Sequence, residues 1–415
     1  MDMKLSFPLK ALNVDSCAVK YTQILVKKPS VTPHDFGCQA WIADKLASLG
    51  FKIEHQNING VLNTIAILKR SEHNFAFCGH TDVVPVDDES QWLAPPFSAQ
   101  IINNKLIGRG VADMKGGIAA ALSAIEKLIA FQGQPKHSIW FLLTSDEEGE
   151  ANFGTKEIVN TLLRKGVQFS AALVGEPTSD KFIGDTIKIG RRGAISFKLT
   201  AFGKSGHVAF PERAKNAAHI AQRIMSALLS IDLNPQASSS GYTSLQITHL
   251  NSGNFVDNII PAQCEINFNI RYNNQFSESS LTTLINKCIE EVTTDYKLTS
   301  HCGCEPYFSD PTDSAILQSL AESIGQTVGK RPIFSTTGGT SDGRFMANIC
   351  PAVFELGLKN HSIHQINEHA DIDDIRTLET LYYNIFNRFL YQEQPTPIKE
   401  LVGDNPSFVT QTLNL

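Results

Sequence analysis

Hydrophobic and polar positions follow one pattern in the first part of the chain, from about residue 15 to 190. Short apolar runs at 74–79, 138–144 and 171–174 predict strands, and the Ala-rich stretch 116–131 predicts a helix. Alternation of buried strands with helices is typical of a sheet covered by helices. This part of the chain therefore predicts an α/β layer.

A different pattern begins near residue 193, where apolar and polar residues alternate strictly along the predicted strands. Such alternation indicates strands with one face in contact with solvent. The elements follow in the order strand, helix, strand, strand, helix, strand, which is the order of a ferredoxin-like plait. They are strands at 194–200, 245–250, 264–272 and 297–301, and helices at 214–230 and 278–292.

The α/β pattern returns after this insertion. A helix is predicted at 314–328 and a strand at 352–356, and an apolar stripe over 375–389 predicts a last helix. The first domain is therefore expected to be discontinuous, comprising 1–192 and 307–415, with the ferredoxin-like domain of 193–306 inserted into it. The tail from 392 to 415 shows no clear pattern.

Composition narrows the class of protein. The chain has 415 residues, of which 42% are hydrophobic and 19% charged, as expected for a folded globular protein. Its formal net charge of −6, without blocks of like charge, predicts that nucleic acid is not a partner. No apolar run approaches the ~20 residues of a membrane span. The cysteines are scattered along the chain, which indicates free thiols rather than disulfides. Free thiols are typical of a reducing compartment, so a cytoplasmic location is expected.

Residue types that bind metals follow three of the apolar runs directly. One run ends in His80 and Asp82, the next in Glu147 and Glu148, and the third in Glu176. In open α/β sheets functional groups cluster beyond the carboxyl ends of the strands, so these side chains are expected to converge. Taken singly, each has a structural alternative, such as an acid in the first turn of a helix.

Asp113 fits the same set. It lies in the glycine-rich segment 108–117, immediately before the Ala-rich helix, where it could instead cap that helix. One histidine and several carboxylates suit divalent ions and can hold two of them if one carboxylate bridges. A further nitrogen ligand is expected, and spacing alone does not choose among His361, His364 and His369.

Six segments together resemble one known family, in order and in spacing, over about residues 15 to 390. The chain is similar to the dizinc amidohydrolases that include aminoacylases and desuccinylases, and it is most similar to the desuccinylases because of G-R-R-G at 190–193, N-I-R at 269–271 and S-I-H-Q-I-N-E at 362–368. The six segments are G-H-T-D-V-V at 79–84, G-R-G-V-A-D-M-K-G-G at 108–117, S-D-E-E-G at 145–149, G-E-P-T at 175–178, S-G-H-V-A-F-P at 205–211 and G-G-T-S-D-G-R-F at 338–345.

The resemblance implies a fold and a metal centre. The fold would be a zinc-peptidase-like α/β catalytic domain with an inserted ferredoxin-like dimerisation, or lid, domain. His80 and Glu176 would hold one zinc ion, Glu148 and His364 the other, and Asp113 would bridge the two. Cobalt or manganese could replace zinc with similar ligands.

The resemblance also implies catalytic roles. Asp82 would orient the imidazole of His80, and Glu147 would be the general base. His207 would reach the site from the small domain of a partner subunit and hydrogen-bond the oxyanion, which predicts a homodimer.

Substrate binding is implied at further positions. Arg191 and Arg271 match positions that bind carboxylates in the desuccinylases. Neutral hydrogen bonds would come from Asn258, Gly339, Thr340 and Asn360.

Two positions depart from the family's pattern. Asp257 lies where an asparagine is expected, and His361 replaces a small residue. An acid at position 257 could repel a substrate carboxylate or select a cationic group. These departures leave the identity of the acyl group undetermined, whereas amide hydrolysis is still the expected reaction.

The expected function is metal-dependent hydrolysis of an amide, releasing succinate from an N-acylated diamino dicarboxylate. The alternatives are an N-acyl-amino-acid deacylase resembling those for acetylornithine, or a dipeptidase of the same family. A non-catalytic binding protein on this fold would have lost the base or a ligand, whereas Glu147 and every expected ligand are present.

Overall fold

The computed structural model of the chain describes residues 16–253, 256–312 and 314–392. The tail from 393 onwards, for which the sequence predicts no pattern, lies outside these residues. Among the described helices, none is both long and apolar enough to cross a membrane.

Nineteen strands are distributed over the described chain. In chain order they are β1 (Lys52–Ile58), β2 (Val61–Leu68), β3 (Asn74–His80), β4 (Gln100–Ile102), β5 (Lys105–Ile107), β6 (Ser138–Thr144), β7 (Ala171–Val174), β8 (Thr186–Lys188), β9 (Gly190–Arg191), β10 (Gly193–Phe202), β11 (Gly206–His207), β12 (Ser244–Asn251), β13 (Ile259–Ile260), β14 (Gln263–Tyr272), β15 (Tyr296–Cys304), β16 (Tyr307–Phe308), β17 (Ile333–Ser335), β18 (Val353–Glu355) and β19 (His369–Asp371).

The α-helices connect and cover these strands. They are α1 (Ala18–Val26), α2 (Cys38–Ser48), α3 (Gly116–Gln132), α4 (Thr155–Arg164), α5 (Ala217–Leu229), α6 (Glu278–Glu290), α7 (Ala315–Val328), α8 (Gly343–Met346) and α9 (Ile372–Tyr391).

The larger sheet has the strand order β1-β2-β6-β3-β7-β18-β8-β17. Its centre is parallel, because β3 pairs in parallel with both β6 and β7, and β7 with β18. Every residue of β3, β6 and β7 is buried, as expected for parallel strands covered on both faces. The carboxyl ends of these three strands therefore meet at one edge of the sheet.

Helix α9 packs against one face of this sheet through an aromatic cluster, and α3 joins the same core through aliphatic side chains. The rings of Phe75 and Phe389 stack with their centroids 4.6 Å apart, and Phe386 contacts Phe77 and Phe141. Helices α4 and α8 contribute to a second apolar cluster, on the other face of the same sheet. The expected α/β architecture is confirmed, with helices on both sides of the sheet.

A second sheet has the order β12-β14-β10-β15 and a core of its own. Its strands are antiparallel, and one face is covered by α5 and α6, where Phe197 stacks on Phe268 at 5.0 Å. The predicted strands and helices of this region are present in the predicted order. The strand order is that of a ferredoxin-like plait, while the domain boundaries at 193 and 306 stay a prediction.

Two local features differ from the sequence-based expectation. Helix α5 begins at Ala217 rather than 214, because the side chain of Asn216 accepts a hydrogen bond from the backbone N–H of Ala218 (2.9 Å) and caps the helix there. The small sheet β19-β5-β4 was not predicted, since its strands are only three residues long and β19 pairs with β5 across a large separation in sequence.

One close approach links this fold to the loop that follows β7. A Cβ atom placed on Gly117 of α3 would lie 2.7 Å from the backbone oxygen of Gly175. We expect Gly117→Ala to lower the free energy of unfolding by about 1–3 kcal/mol in urea denaturation, because the loop must move.

The matched control is Gly325→Ala in α7, where a Cβ atom would meet nothing closer than 3.4 Å. It is expected to leave the free energy of unfolding unchanged or raise it by up to about 1 kcal/mol, because alanine favours a helix interior. Equal destabilisation by both variants would contradict the close approach at Gly117.

Candidate metal centre

The strand ends place the expected ligands at one edge of the sheet. Strand β3 ends at His80, Glu147 and Glu148 follow the end of β6, and Glu176 follows the end of β7. Because these strands are adjacent and parallel, their following residues converge.

His80 is the centre of one group of ligands. Its Nε2 atom lies 3.2 Å from Oδ1 of Asp113, 3.7 Å from Oε1 of Glu176 and 4.0 Å from Oε2 of Glu147. The imidazole is buried, with 1% of its surface exposed. The atoms of His80, Asp113 and Glu176 are close enough together to hold one cation, whereas Glu147 forms a separate group with His80 and Glu148.

His364 is the centre of a second group. Its Nε2 atom lies 3.2 Å from Oδ2 of Asp113 and 3.1 Å from Oε1 of Glu148. The two carboxylate oxygens of Asp113 thus face the two histidines, one each. This is the arrangement that a bridging carboxylate requires between two metal ions.

The donor atoms fit a divalent cation. Nε2 of His80, Oδ1 of Asp113 and Oε1 of Glu176 are buried and have no hydrogen-bond partner among the described residues. Buried polar atoms are otherwise almost always paired. Imidazole and carboxylate donors suit zinc, and also cobalt or manganese.

Asp82 supports the centre in two ways. Its backbone oxygen lies 3.0 Å from Nδ1 of His80, and since a carbonyl can only accept, Nδ1 carries the proton and Nε2 is free to bind a metal. Its carboxylate is 3.6 Å from the same ring and accepts backbone N–H bonds from Glu147 (3.1 Å) and Glu148 (3.0 Å). The hydrogen bond of the imidazole thus goes to the backbone of Asp82, while its carboxylate holds the turn after β6, and orientation of His80 by that carboxylate stays a prediction.

Burial and crowding shift the protonation of this centre. Burial, together with the charge of Glu176, raises the pKa of Glu147 well above its usual range, and burial and Asp113 do the same for the pKa of Glu176. Hydrogen bonds to Asp113 and Glu148 raise the pKa of His364 to about 10. A cation would compete with the protons held here, so metal binding is expected to release protons.

Asp113 is delivered by a segment that interrupts the helical backbone. The π-helical turn Val111–Lys115 departs from helical geometry at Asp113 (φ −117°, ψ 93°) and at Met114, and the peptide bond between these two residues is cis. Gly110 before it has φ 81°, a conformation that favours glycine. The segment turns the Asp113 carboxylate towards both histidines.

The three histidines that spacing alone left open have different neighbours. His364 faces the carboxylates of the centre, whereas Nε2 of His361 lies 3.3 Å from Nε2 of His369. The latter atom also lies 3.0 Å from Nζ of Lys105. Of the three, only His364 belongs to the ligand groups found among the described residues.

Arg191 is held in place by a buried acid. Its Nε atom donates to Oε2 of Glu355 at 2.9 Å, and its Nη1 donates to the backbone oxygen of Thr337 at 3.1 Å. Glu355 also accepts from Tyr307 and Ser341. Sequence reasoning missed Glu355, because it lies inside the predicted strand 352–356 rather than after its end and so lacks the signal that identified Glu176.

The other expected substrate-binding residues lie in two places. Arg271 is half-buried on β14, opposite the face that carries the core. Thr340 is half-buried and Gly339 and Asn360 are exposed, and the backbone N–H of Asn360 donates to the oxygen of Ser179 at 3.1 Å.

His207 and Asn258 lie together at the pair of short strands β11 and β13. His207 on β11 pairs with Ile259 on β13, and Asn258 directly precedes β13. The backbone oxygen of Asn258 accepts from the N–H of Val208 at 3.1 Å. Both side chains are exposed, as is Asp257. Nδ1 of His207 accepts from the N–H of Ala209, and no hydrogen bond among the described residues links it to the ligands.

The fold and the site define a class of protein. The sequence profile of peptidase family M20/M25/M40 matches residues 76–388, and the chain belongs to this family. A succinyl-diaminopimelate desuccinylase from Shewanella loihica is 43% identical over 375 residues, which covers 89% of this chain and 100% of that protein.

Solved structures show the same fold at low sequence identity. An aminopeptidase, PepT, from Bacillus cereus has a TM-score of 0.73 at 18% identity and covers 90% of this chain and 98% of its own. A dinuclear metal-binding peptidase of family M20 from Bacillus subtilis has a TM-score of 0.65 at 15% identity, covering 89% and 96%.

Removal of one histidine tests the second ligand group. We expect His364→Ala to reduce the bound metal from about two ions to about one per chain in elemental analysis, because it removes the nitrogen donor that faces Asp113 and Glu148. His361→Ala, on the same loop, is the control and should retain both. Loss of one ion from both variants, or from neither, would contradict the assignment of His364.

Proposed function

We propose that this chain is a metal-dependent amide hydrolase that releases succinate from N-succinyl-LL-2,6-diaminopimelate, in the biosynthesis of lysine and diaminopimelate. The observation that carries the proposal is the position of Asp113, with one carboxylate oxygen towards each histidine-centred group of ligands. The specific substrate is supported by the full-length similarity to succinyl-diaminopimelate desuccinylases, at 43% identity.

The proposed cofactor is two Zn²⁺ ions. His80 and Glu176 would hold one, Glu148 and His364 the other, with Asp113 between them. When bound, the ions supply Lewis acidity, which activates water and polarises the amide carbonyl.

Glu147 is the proposed general base and acid. It is half-buried beside the centre, with Oε2 at 4.0 Å from Nε2 of His80, and it is not one of the five ligands proposed for the two ions. Its carboxylate takes a proton from the attacking water as the new C–O bond forms, and gives that proton to the nitrogen as the C–N bond breaks. The products are succinate and the free amine.

Positive side chains would recognise the substrate carboxylates. Guanidinium groups bind carboxylates in a bidentate way, and Arg191 and Arg271 are the proposed partners. Glu355 accepts from Nε of Arg191 and so fixes the plane of the guanidinium group. The Nη1 atom then points to the backbone oxygen of Thr337, at the start of the loop 337–340. Gly339, Thr340, Asn258 and Asn360 would add neutral hydrogen bonds.

A homodimer would complete the site. The side chains of His207 and Asn258, at the pair of strands β11 and β13, are exposed. Among the described residues they make no hydrogen bond to the proposed metal ligands, so they are available to another subunit. A hydrogen bond from His207 of one subunit to the oxyanion in its partner would make an isolated subunit nearly inactive.

We propose that this enzyme acts on a small-molecule substrate in the cytoplasm.

Substitution of the base tests the chemistry. We expect Glu147→Gln to lower kcat by about 10²–10⁴-fold in a succinate-release assay, because no carboxylate remains to accept the proton. Elemental analysis should still find two ions per chain. Glu150→Gln, at an exposed position on the same loop, is the control. A Glu147→Gln variant with normal kcat would remove Glu147 from this role.

Comparison of substrates tests the acyl specificity. The metal-loaded protein should hydrolyse N-succinyl-LL-2,6-diaminopimelate with kcat/KM at least about a hundredfold above that for N-acetylornithine, because the acetyl group offers no carboxylate to bind. A preference for the acetylated substrate or for a dipeptide would assign the chain to the alternative deacylase or dipeptidase class. Binding without turnover of any of them would indicate a binding protein.

A further inference from the structure

Glu368 is a buried acid with an unusual set of donors. Its carboxylate accepts backbone N–H bonds from Gly110 (3.0 Å), Ala112 (3.0 Å) and Asp113 (3.2 Å), and a side-chain bond from Nη1 of Arg109 (3.0 Å). Its side chain is fully buried. One carboxylate therefore accepts three backbone N–H groups of the segment that carries Asp113 to the metal centre.

This segment depends on an external acceptor. Gly110, Ala112 and Asp113 stand at the start of the turn Val111–Lys115, and the first N–H groups of a helical turn have no partner within it. Buried backbone N–H groups require an acceptor, and a charged acceptor makes shorter and stronger bonds than a neutral one. Glu368 supplies that acceptor.

The same residue belongs to the loop that carries His364. The backbone N–H of Gly108 donates to the backbone oxygen of Glu368 at 2.9 Å, and Nη1 of Arg109 donates to the oxygen of Gln365 at 3.2 Å. His364 itself has φ 60°, a conformation that costs energy for a residue with a Cβ. Contacts with the neighbouring segment must therefore hold this loop in place.

Both segments contribute to the second ligand group. Nε2 of His364 and Oδ2 of Asp113 are 3.2 Å apart, although the two residues are far apart in the sequence. We propose that Glu368 is a positioning residue that holds Asp113 and His364 together and so determines how tightly the second metal ion is retained. This inference rests on the dinuclear centre of the proposed function.

Glu368→Gln tests the inference with almost no change in side-chain size. The amide retains one acceptor oxygen and replaces the other with a donor, so part of the N–H set loses its partner. We expect the affinity for the second Zn²⁺ to fall by about 10–100-fold. The affinity for the first ion should fall less, because the hydrogen bonds of the Glu368 carboxylate go to Arg109, Gly110, Ala112 and Asp113 and none found among the described residues reaches His80 or Glu176. Zinc titration against a chromophoric chelator measures both constants.

A second variant and a matched control accompany it. Glu368→Asp keeps the charge but shortens the reach, and it should also weaken the second site. Glu379→Gln changes another buried acid, which accepts from Ser123 and pairs with Nζ of Lys127 at 2.9 Å. It should lower the free energy of unfolding but leave both zinc constants within about twofold, because its partners are not ligands.

The outcomes separate this inference from the proposed function. If Glu368→Gln and Glu368→Asp fold, as judged by near-UV circular dichroism, and bind both ions with wild-type affinity, the positioning role is wrong. Equal weakening of the second site by Glu379→Gln would attribute the effect to general stability and would also overturn it. A wild-type chain that binds fewer than two ions would contradict the dinuclear centre itself.

Discussion

The structure around the sheet edge depends on one electrostatic constraint, the burial of several carboxylates around two imidazoles. Asp113 and Glu176 are buried and Glu147 is half-buried, and burial disfavours the charged form of each. Protons can offset this charge, and divalent cations can do so while leaving the carboxylates ionised. The fold brings these acids together, which is costly unless a positive charge is bound among them.

Acids near the centre fall into two groups by their hydrogen bonds. Asp113 and Glu176 each keep a buried oxygen without a partner among the described residues, and both oxygens face His80. Glu355 and Glu368, by contrast, accept from several N–H and O–H donors. The first group has coordination capacity left for a cation, whereas the second uses its charge to hold an arginine or a loop. This difference distinguishes Asp113 and Glu176 from Glu355 and Glu368 on physical grounds.

The two sheets contribute different things to the proposed enzyme. The larger sheet is rigid because its central strands are buried on both faces, and it carries the residues that must be placed accurately. The smaller sheet has its own core, and the separate pair of short strands β11 and β13, with the turn before β13, presents the exposed side chains of His207 and Asn258. This division suits a reaction in which a fixed metal centre is completed by groups from another subunit.

The amino-acid sequence by itself predicted the strands that carry the site. The runs ending at His80, before Glu147 and before Glu176 appear within a residue of their predicted bounds, because continuous apolar stretches bury locally and their ends are visible in the chain. The family resemblance then assigned His364, which spacing alone could not choose. The tertiary structure decided what depends on contacts between distant segments. It placed His361 against His369 rather than the centre, turned the carboxylate of Asp82 towards two backbone N–H groups, and set Glu368 against the Asp113 segment. These outcomes follow from side-chain direction and from pairing across the fold, neither of which is recorded in a local pattern.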